Sequence, residues 1–370
     1  MTKQLCIAVS GLHRGDNPQP GPAVIRSIRR RHPSTKIIGL SYDPLESALF
    51  SKSDDGVDAA FLMPLPDKGP DALIDRLDEI CETYPLDMVI PCLDSEIPNY
   101  IELADEFKAR GIKTPQLTRK SFDRRGKENL SQLGKAAGVR VPRTVVVNDL
   151  AAAHEAAEEI GFPLFLKGKQ YGAGLVNSPA EVTHMFNSLM AAWGGPVIAQ
   201  SAVGGSGDEY DVVGLGDGKG GLLGSCSIRK IMLTSNGKAF GGIVVADPAL
   251  QESVEKIIKK VKWWGPFELE FVKGKHGHEL IEMNPRFPAW TDFPSQIGCN
   301  LPAMLVDLML SRPVRPVPAC EPGRMFIRHN VDLVGDISQL ADLFSGVLIN
   351  DAQPKPSKPS KSLKSLELVS

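Results

Sequence analysis

Up to residue 118 the chain alternates short apolar runs with amphipathic stretches, and this rhythm restricts the fold more than any other feature. Leu5–Val9, a Gly/Pro-rich loop Gly11–Pro22, a helix-like Ala23–Arg31 and a second apolar run Lys36–Leu40 make a βαβ pattern. Ala60–Met63 and Met88–Ile90 continue it as strands, with Asp71–Thr83 and Ile97–Arg110 as amphipathic helices. Apolar runs too short for helices, spaced by helical periodicity, suit a parallel sheet covered on both faces. The expected class is α/β. Gly11, Gly15 and Gly21 miss the G-x-G-x-x-G spacing and prolines interrupt the loop, so it is not a dinucleotide fingerprint.

After Thr118 the pattern changes. Lys120–Ala137 is expected to be one helix carrying Lys127, followed by a strand Val141–Val147 and a helix Ala151–Ile160. Pro163–Lys167 and Leu175–Asn177 form a hairpin across the glycine-containing loop Gly168–Gly174. Val197–Gln200, Tyr210–Leu215, Gly221–Ile228, Phe267–Val272 and Glu279–Met283 follow as Gly-separated, antiparallel-like strands. Residues Asp351–Ser370, rich in Pro, Lys and Ser, are expected to form a flexible tail.

Length and charge exclude several functions. At 370 residues two or three lobes are expected, which leaves room for a cleft between them. Lys+Arg 42 against Asp+Glu 44 gives a net charge of -2, so the basic surplus that nucleic acid demands is missing. No apolar stretch approaches the roughly 18 residues of a membrane span, and a cytoplasmic protein is expected. Cys6, Cys81, Cys92, Cys226, Cys299 and Cys320 lack paired spacing and sit mostly in apolar segments. They read as reduced core thiols, neither staples nor zinc ligands.

The sharpest chemical signal is Ile281-Glu282-Met283-Asn284-Pro285-Arg286, preceded by Glu268-Leu269-Glu270-Phe271. On an extended chain alternate side chains share a face, so Glu282, Asn284 and Arg286 can point together into a cleft. Carboxylates and a carboxamide are hard oxygen ligands suited to Mg²⁺, and an adjacent arginine suits a phosphate. A strand with a surface salt bridge is the plainer alternative. Lys167 ends an apolar strand and is followed by Gly168, Tyr171, Gly172 and Gly174, a loop whose backbone N–H groups can approach phosphate while the lysine neutralises its charge.

Taken as an ordered set, these motifs resemble the ATP-grasp superfamily over roughly residues 1–312, in particular stand-alone carboxylate–amine (amino-acid or peptide) ligases or one half of the carbamoyl phosphate synthetase large subunit. The resemblance implies a Rossmann-like lobe at 1–118 and an ATP-grasp domain at 119–312, its two lobes at about 119–196 and 197–312. A C-terminal segment 313–350 is expected to pack on the ATP-grasp domain, ahead of the 351–370 tail. It implies that Lys127 and Lys167 contact ATP together with Gly172 and Gly174. Gln200, Ser201 and Val203 belong to the adenine hinge, where relatives often carry Glu in place of Gln200, and Glu209 binds the ribose. Glu270, Glu282 and Asn284 hold Mg²⁺, with Mn²⁺ an alternative. Arg286 meets the transferring γ-phosphate, and the Arg229-Lys230 pair contacts phosphate or the acyl intermediate, a solvated basic pair being the alternative.

Biotin-dependent carboxylases of the superfamily place a glutamate base four positions after this arginine, where this chain has Trp290. The resemblance thus implies an ADP-forming ligase acting on an organic carboxylate and an amine through an acyl phosphate. A carbamoyl-phosphate-type or kinase-like enzyme and a non-catalytic nucleotide sensor are the alternatives, and a homodimer is a further expectation. Trp290 is either an apolar wall near the reacting centre or core packing against Pro302–Leu310. Asp94 and Glu96 follow a first-lobe strand and either hold a substrate amine or cap a helix. His13, Arg14, Asp16, Arg324, Arg328 and His329 divide similarly between substrate contact and structure.

Overall fold

The structure, a computed structural model, describes residues 4–13, 15–169, 172–205, 207–235 and 237–350. Arg14, Tyr171 and the 351–370 tail, named above, lie outside the described residues.

The first lobe runs β1 (Cys6–Ser10), α1 (Gly21–Arg31), β2 (Lys36–Ser41), β3 (Ala59–Leu62), α2 (Gly69–Thr83), β4 (Met88–Ile90), α3 (Ile97–Glu102) and α4 (Ala104–Ala109). Strands β1 to β4 pair in parallel in the order β3-β2-β1-β4, as their all-apolar character requires. The expected helix Ile97–Arg110 is two short ones, broken at Leu103.

The next unit comprises α5 (Arg119–Arg124), α6 (Leu130–Ala137), β5 (Thr144–Val147), α7 (Leu150–Ile160), β6 (Leu164–Gly168), β7 (Ala173–Val176), α8 (Pro179–Trp193) and β8 (Val197–Ser201). The expected helix Lys120–Ala137 is interrupted at Gly126, where a single 3-10 turn carries Lys127. Strands β5-β8-β6-β7 form an antiparallel sheet under α7 and α8, and every residue of its buried cluster lies between 147 and 199. Asp149 caps α7 by accepting from the Ala152 N–H at 2.8 Å.

The remainder runs β9 (Glu209–Asp217), β10 (Leu222–Leu233), β11 (Ala239–Val244), α9 (Pro248–Val261), β12 (Trp264–Gly274), β13 (Gly277–Asn284), α10 (Asp292–Gln296), α11 (Leu301–Met309), β14 (Met325–Ile327), α12 (Ile337–Phe344) and β15 (Leu348–Ile349). Six antiparallel strands order as β13-β12-β9-β10-β11-β14. One core joins this sheet to the first lobe: Val9, Val24 and Ile28 share a cluster with Val213, Leu215 and Leu305. The seam is polar as well, with Arg26 Nε 3.0 Å from Asp292 and Asn300 Nδ2 2.8 Å from the Ser27 carbonyl.

Residues 313–350 divide between two sheets. β14 joins the six-stranded sheet, but β15 pairs antiparallel with β3, so the segment returns to the first lobe. The open edge of β3 supplies the backbone partners and Leu348 is buried there at 1% exposure. Among the described residues no helix is long and apolar enough to cross a membrane.

Candidate nucleotide and acyl-transfer site

The site is a charged floor on the six-stranded sheet. In the β12–β13 pairing Glu268 faces Asn284 and Glu270 faces Glu282, so the two-residue period of each strand puts all four on one face. Asn284 Nδ2 donates to Glu268 at 3.1 Å and to Glu270 at 3.2 Å. Arg286 Nη1 lies 2.6 Å from Glu268, and its Nε reaches Asp94 of the first lobe at 3.0 Å. Trp290 is 4% exposed and donates from Nε1 to Glu268 at 3.2 Å while stacking on Phe326 at 6.2 Å.

Cations ring the floor. Lys127 Nζ sits 3.2 Å from Glu282, and Lys230 lies 2.9 Å from Glu270, 3.1 Å from Asp211 and 3.4 Å from Glu209. Lys167, on the other sheet, donates to Gln200 Oε1 at 2.7 Å, and Gln200 Nε2 donates to Thr144 at 3.1 Å. Burial depresses the pKa of Lys167, opposed by Glu282, whereas Asp211, Glu270 and Glu209 overcome burial and hold Lys230 well above its ordinary value. Burial raises Glu268, opposed by Arg286; burial likewise acts on Glu270, but Lys230 outweighs it and its pKa falls.

The structure therefore brings Lys127, Lys167, Gln200, Glu209, Lys230, Glu270, Glu282, Asn284 and Arg286 to one region. It does not bring Arg229, which is exposed on the opposite face of β10 from the buried Lys230, as strand alternation dictates. Ser201 ends β8 with its N–H donating to Arg143 at 2.9 Å, and Val203 follows in the connection to β9. Gly172 has φ +81°, and a Cβ there would stand 2.8 Å from Trp193 Nε1, so packing as well as any ligand asks for glycine. On Gly174 a Cβ would meet Met185.

Asp94 neither caps a helix nor stands free: it pairs with Arg286 and, at 3.9 Å, with Arg125. Glu96 is 1% exposed and accepts from Ser10, Tyr42 and the Cys92 and Leu93 N–H groups, which makes it a structural tie rather than an amine holder. His13 hydrogen-bonds Gln19 through its backbone, Asp16 is exposed at 4.0 Å from His13, and Arg324 is exposed beside Glu321.

Sequence reasoning missed three residues here. Glu268 shares the face of Glu270 two positions on, which the strand period alone could have revealed. Arg125 lies in the link between α5 and the 3-10 turn of Lys127, with burial lowering its pKa. Lys238, between β10 and β11, donates to the Pro18 carbonyl at 3.3 Å, and burial followed by Arg286 lowers its pKa to about 8.

The parallel lobe, the four-stranded antiparallel sheet and the six-stranded floor constitute an ATP-grasp fold. Biotin carboxylase of Campylobacter jejuni, in a β,γ-ATP complex, superposes with TM-score 0.63 at 19% identity, covering 83% of this chain and 71% of that one. An N5-carboxyaminoimidazole synthetase of Staphylococcus aureus complexed with ADP gives 0.63 at 15% identity over 86% and 81%. An L-amino acid ligase of Bacillus licheniformis gives 0.61 at 16% identity over 86% and 78%. In sequence, acetyl-CoA carboxylase of Dictyostelium discoideum is 23% identical over 201 residues, 51% of this chain but 9% of that protein's length. No family model matches the chain.

Proposed function

We propose that this protein is an ATP-dependent carboxylate–amine ligase that forms an acyl phosphate and releases ADP and phosphate. The observation that carries the reading is the convergence of Glu268, Glu270, Glu282 and Asn284 with Lys127, Lys167 and Arg286 across two sheets. Solved neighbours in complex with β,γ-ATP and with ADP support it.

The donor set fits Mg²⁺: Glu270, Glu282 and the Asn284 carboxamide are all oxygen ligands. Three such donors leave the rest of the coordination sphere for nucleotide phosphates and water. When bound, Mg²⁺ neutralises phosphate charge. Lys127 and Lys167 hold phosphate oxygens, and Gln200 orients Lys167 toward them. Arg286, fixed by Asp94 and Glu268, presents its guanidinium to the charge that builds up in transfer. Lys230 keeps Glu270 ionised.

The carboxylate and amine would enter the neighbouring cavity of about 690 Å³, lined by His13, Arg26, Trp290, Phe293, Phe326 and Arg328. Arg328 Nη1 is buried without a hydrogen-bond partner, and burial lowers the Arg328 pKa to about 10. An anionic group of the substrate would relieve that cost. Trp290 separates the cavity from Glu268 with an apolar wall, which suits an organic carboxylate over bicarbonate.

The test is trapping. Hydroxylamine, MgATP and a panel of amino acids and peptides should give a hydroxamate with ADP, while bicarbonate alone supports little ADP release. AMP and pyrophosphate, or bicarbonate as the best substrate, would sink the proposal.

A further inference from the structure

Three residues of the link between α5 and α6 reach three different parts of the molecule. Lys127 meets the floor at Glu282, 3.2 Å away, and Glu128 meets Lys169 of the glycine loop at 3.1 Å. Arg125, two residues before Lys127, turns toward the first lobe and comes within 3.9 Å of Asp94. Local backbone bonds set this course. As α5 ends, the Arg125 N–H donates to the Phe122 carbonyl at 3.2 Å, the Gly126 N–H to Asp123 at 3.1 Å, and the Asn129 N–H to Gly126 at 2.8 Å.

Arg125 is held in place yet keeps a free donor. Its guanidinium carbon lies 4.1 Å from the centre of the Phe122 ring, and Phe122 packs in turn on the apolar cluster of Val212, Ile257 and Leu269. The side chain is 17% exposed, and its Nε is buried without a hydrogen-bond partner among the described residues. An unpaired buried donor is costly, and a ligand that accepts from it removes the cost. Asp94 does not supply that acceptor: it already receives Arg286 Nε at 3.0 Å, whereas 3.9 Å from Arg125 is ion-pair contact beyond hydrogen-bond range. Burial, the largest influence, lowers the Arg125 pKa; Asp94 and Glu282 oppose it and Arg286 adds to it, so the charges around Arg125 are those of the floor.

Two guanidiniums thus share one aspartate at the seam between the first lobe and the floor, and Arg125 is the loosely tied one. A phosphoryl group between them offers three oxygens, enough to accept from both. We infer that Arg125 is a further phosphate-contacting residue, which holds the γ-phosphoryl group of ATP from the first-lobe side while Arg286 meets it from the floor. The assignment rests on the ligase reading above and adds a residue to it. ADP lacks the γ-phosphoryl group, so Arg125 contributes to the affinity for ATP and not to that for ADP.

The experiment compares ADP with β,γ-imido-ATP by titration calorimetry on the full chain in the presence of Mg²⁺. Arg125→Met should weaken β,γ-imido-ATP by about tenfold or more, the scale of one charge-assisted hydrogen bond, and leave ADP within about twofold. Arg125→Lys keeps a cation beside Asp94, and with it the fold, but loses the planar fork; it should weaken β,γ-imido-ATP alone, by about threefold. Arg124→Met, at the exposed neighbour, should change neither affinity. A residue that only supported the fold would move both nucleotides together. Equal losses for the two nucleotides in both variants, or undiminished β,γ-imido-ATP binding in both, overturn the assignment, and the ligase reading then stands because the unaltered protein still binds nucleotide. An unaltered protein that binds neither nucleotide overturns both.

Discussion

Glu96 behind β4 and Glu268 on β12 are both carboxylates taken out of water, at 1% and 5% exposure, yet the protein receives them in opposite ways. Glu96 accepts from two hydroxyls and two backbone N–H groups, all neutral. Glu268 meets Arg286, and through Asn284 and Glu270 it connects to Lys230. Burial raises the pKa of each, but only Glu268 has a cation to oppose it. A carboxylate saturated by neutral donors holds a lobe together, whereas one in a network of alternating charges at a cleft is ready to exchange partners with a ligand.

The strongest way to break that contrast is on the floor itself. Glu282→Ala should reduce ADP release by about 10³-fold, the several kcal/mol expected when metal-assisted charge stabilisation is lost. The same change should leave the melting temperature within about 2 °C, since Glu282 is half-buried on an edge strand. Turnover close to that of the unaltered protein would place the metal elsewhere.

Next in size, Arg286→Ala should cost about 3 kcal/mol in denaturant unfolding, because Glu268 and Asp94 would lose the cation that neutralises them in a buried setting. The loss should shrink in an Arg286→Ala, Glu268→Gln double variant. If the two changes simply add, the pair is not coupled and the electrostatic reading of the floor is wrong.

The first lobe answers to pH. Glu46 is 3% exposed, accepts from Ser41 at 2.7 Å, and burial lifts its carboxyl to about 7. The folded state therefore binds more protons than the unfolded one, whose value is about 4.3, across the interval between them. The associated stability is fully present below the unfolded value and is lost as pH rises through about 7. Glu46→Gln should remove a decline of up to about 3 kcal/mol between pH 5 and pH 8, read from denaturant midpoints. An unchanged slope in the variant would exclude Glu46 as its source.

How much of this was legible depends on sequence distance. Strand alternation put Glu282 with Asn284, and the β–α rhythm gave the parallel lobe, because both are local periodicities. The partners of Arg286 were hidden: Asp94 arrives from the first lobe and leaves no local pattern. β15 has two residues, too few for any period, and it pairs only because β3 leaves an edge open. Two of the helices expected by periodicity are broken, one at Leu103 and one at Gly126, where glycine's low helix propensity outweighs the apolar period.

The smallest effect belongs to Arg229, and it tests how the basic pair divides. On β10 successive side chains point to opposite faces, so Lys230 enters the floor at 5% exposure while its neighbour is left in solvent. Arg229→Ala should change unfolding free energy by less than about 0.5 kcal/mol and leave MgADP affinity within about twofold, as expected of an exposed cation. Lys230→Met should behave differently, since Glu270, Asp211 and Glu209 would be left facing one another without a cation, and titration calorimetry should show weakened MgADP binding. If Arg229→Ala weakens MgADP as much as Lys230→Met does, the pair acts as a unit in the cleft and the division by strand face is wrong.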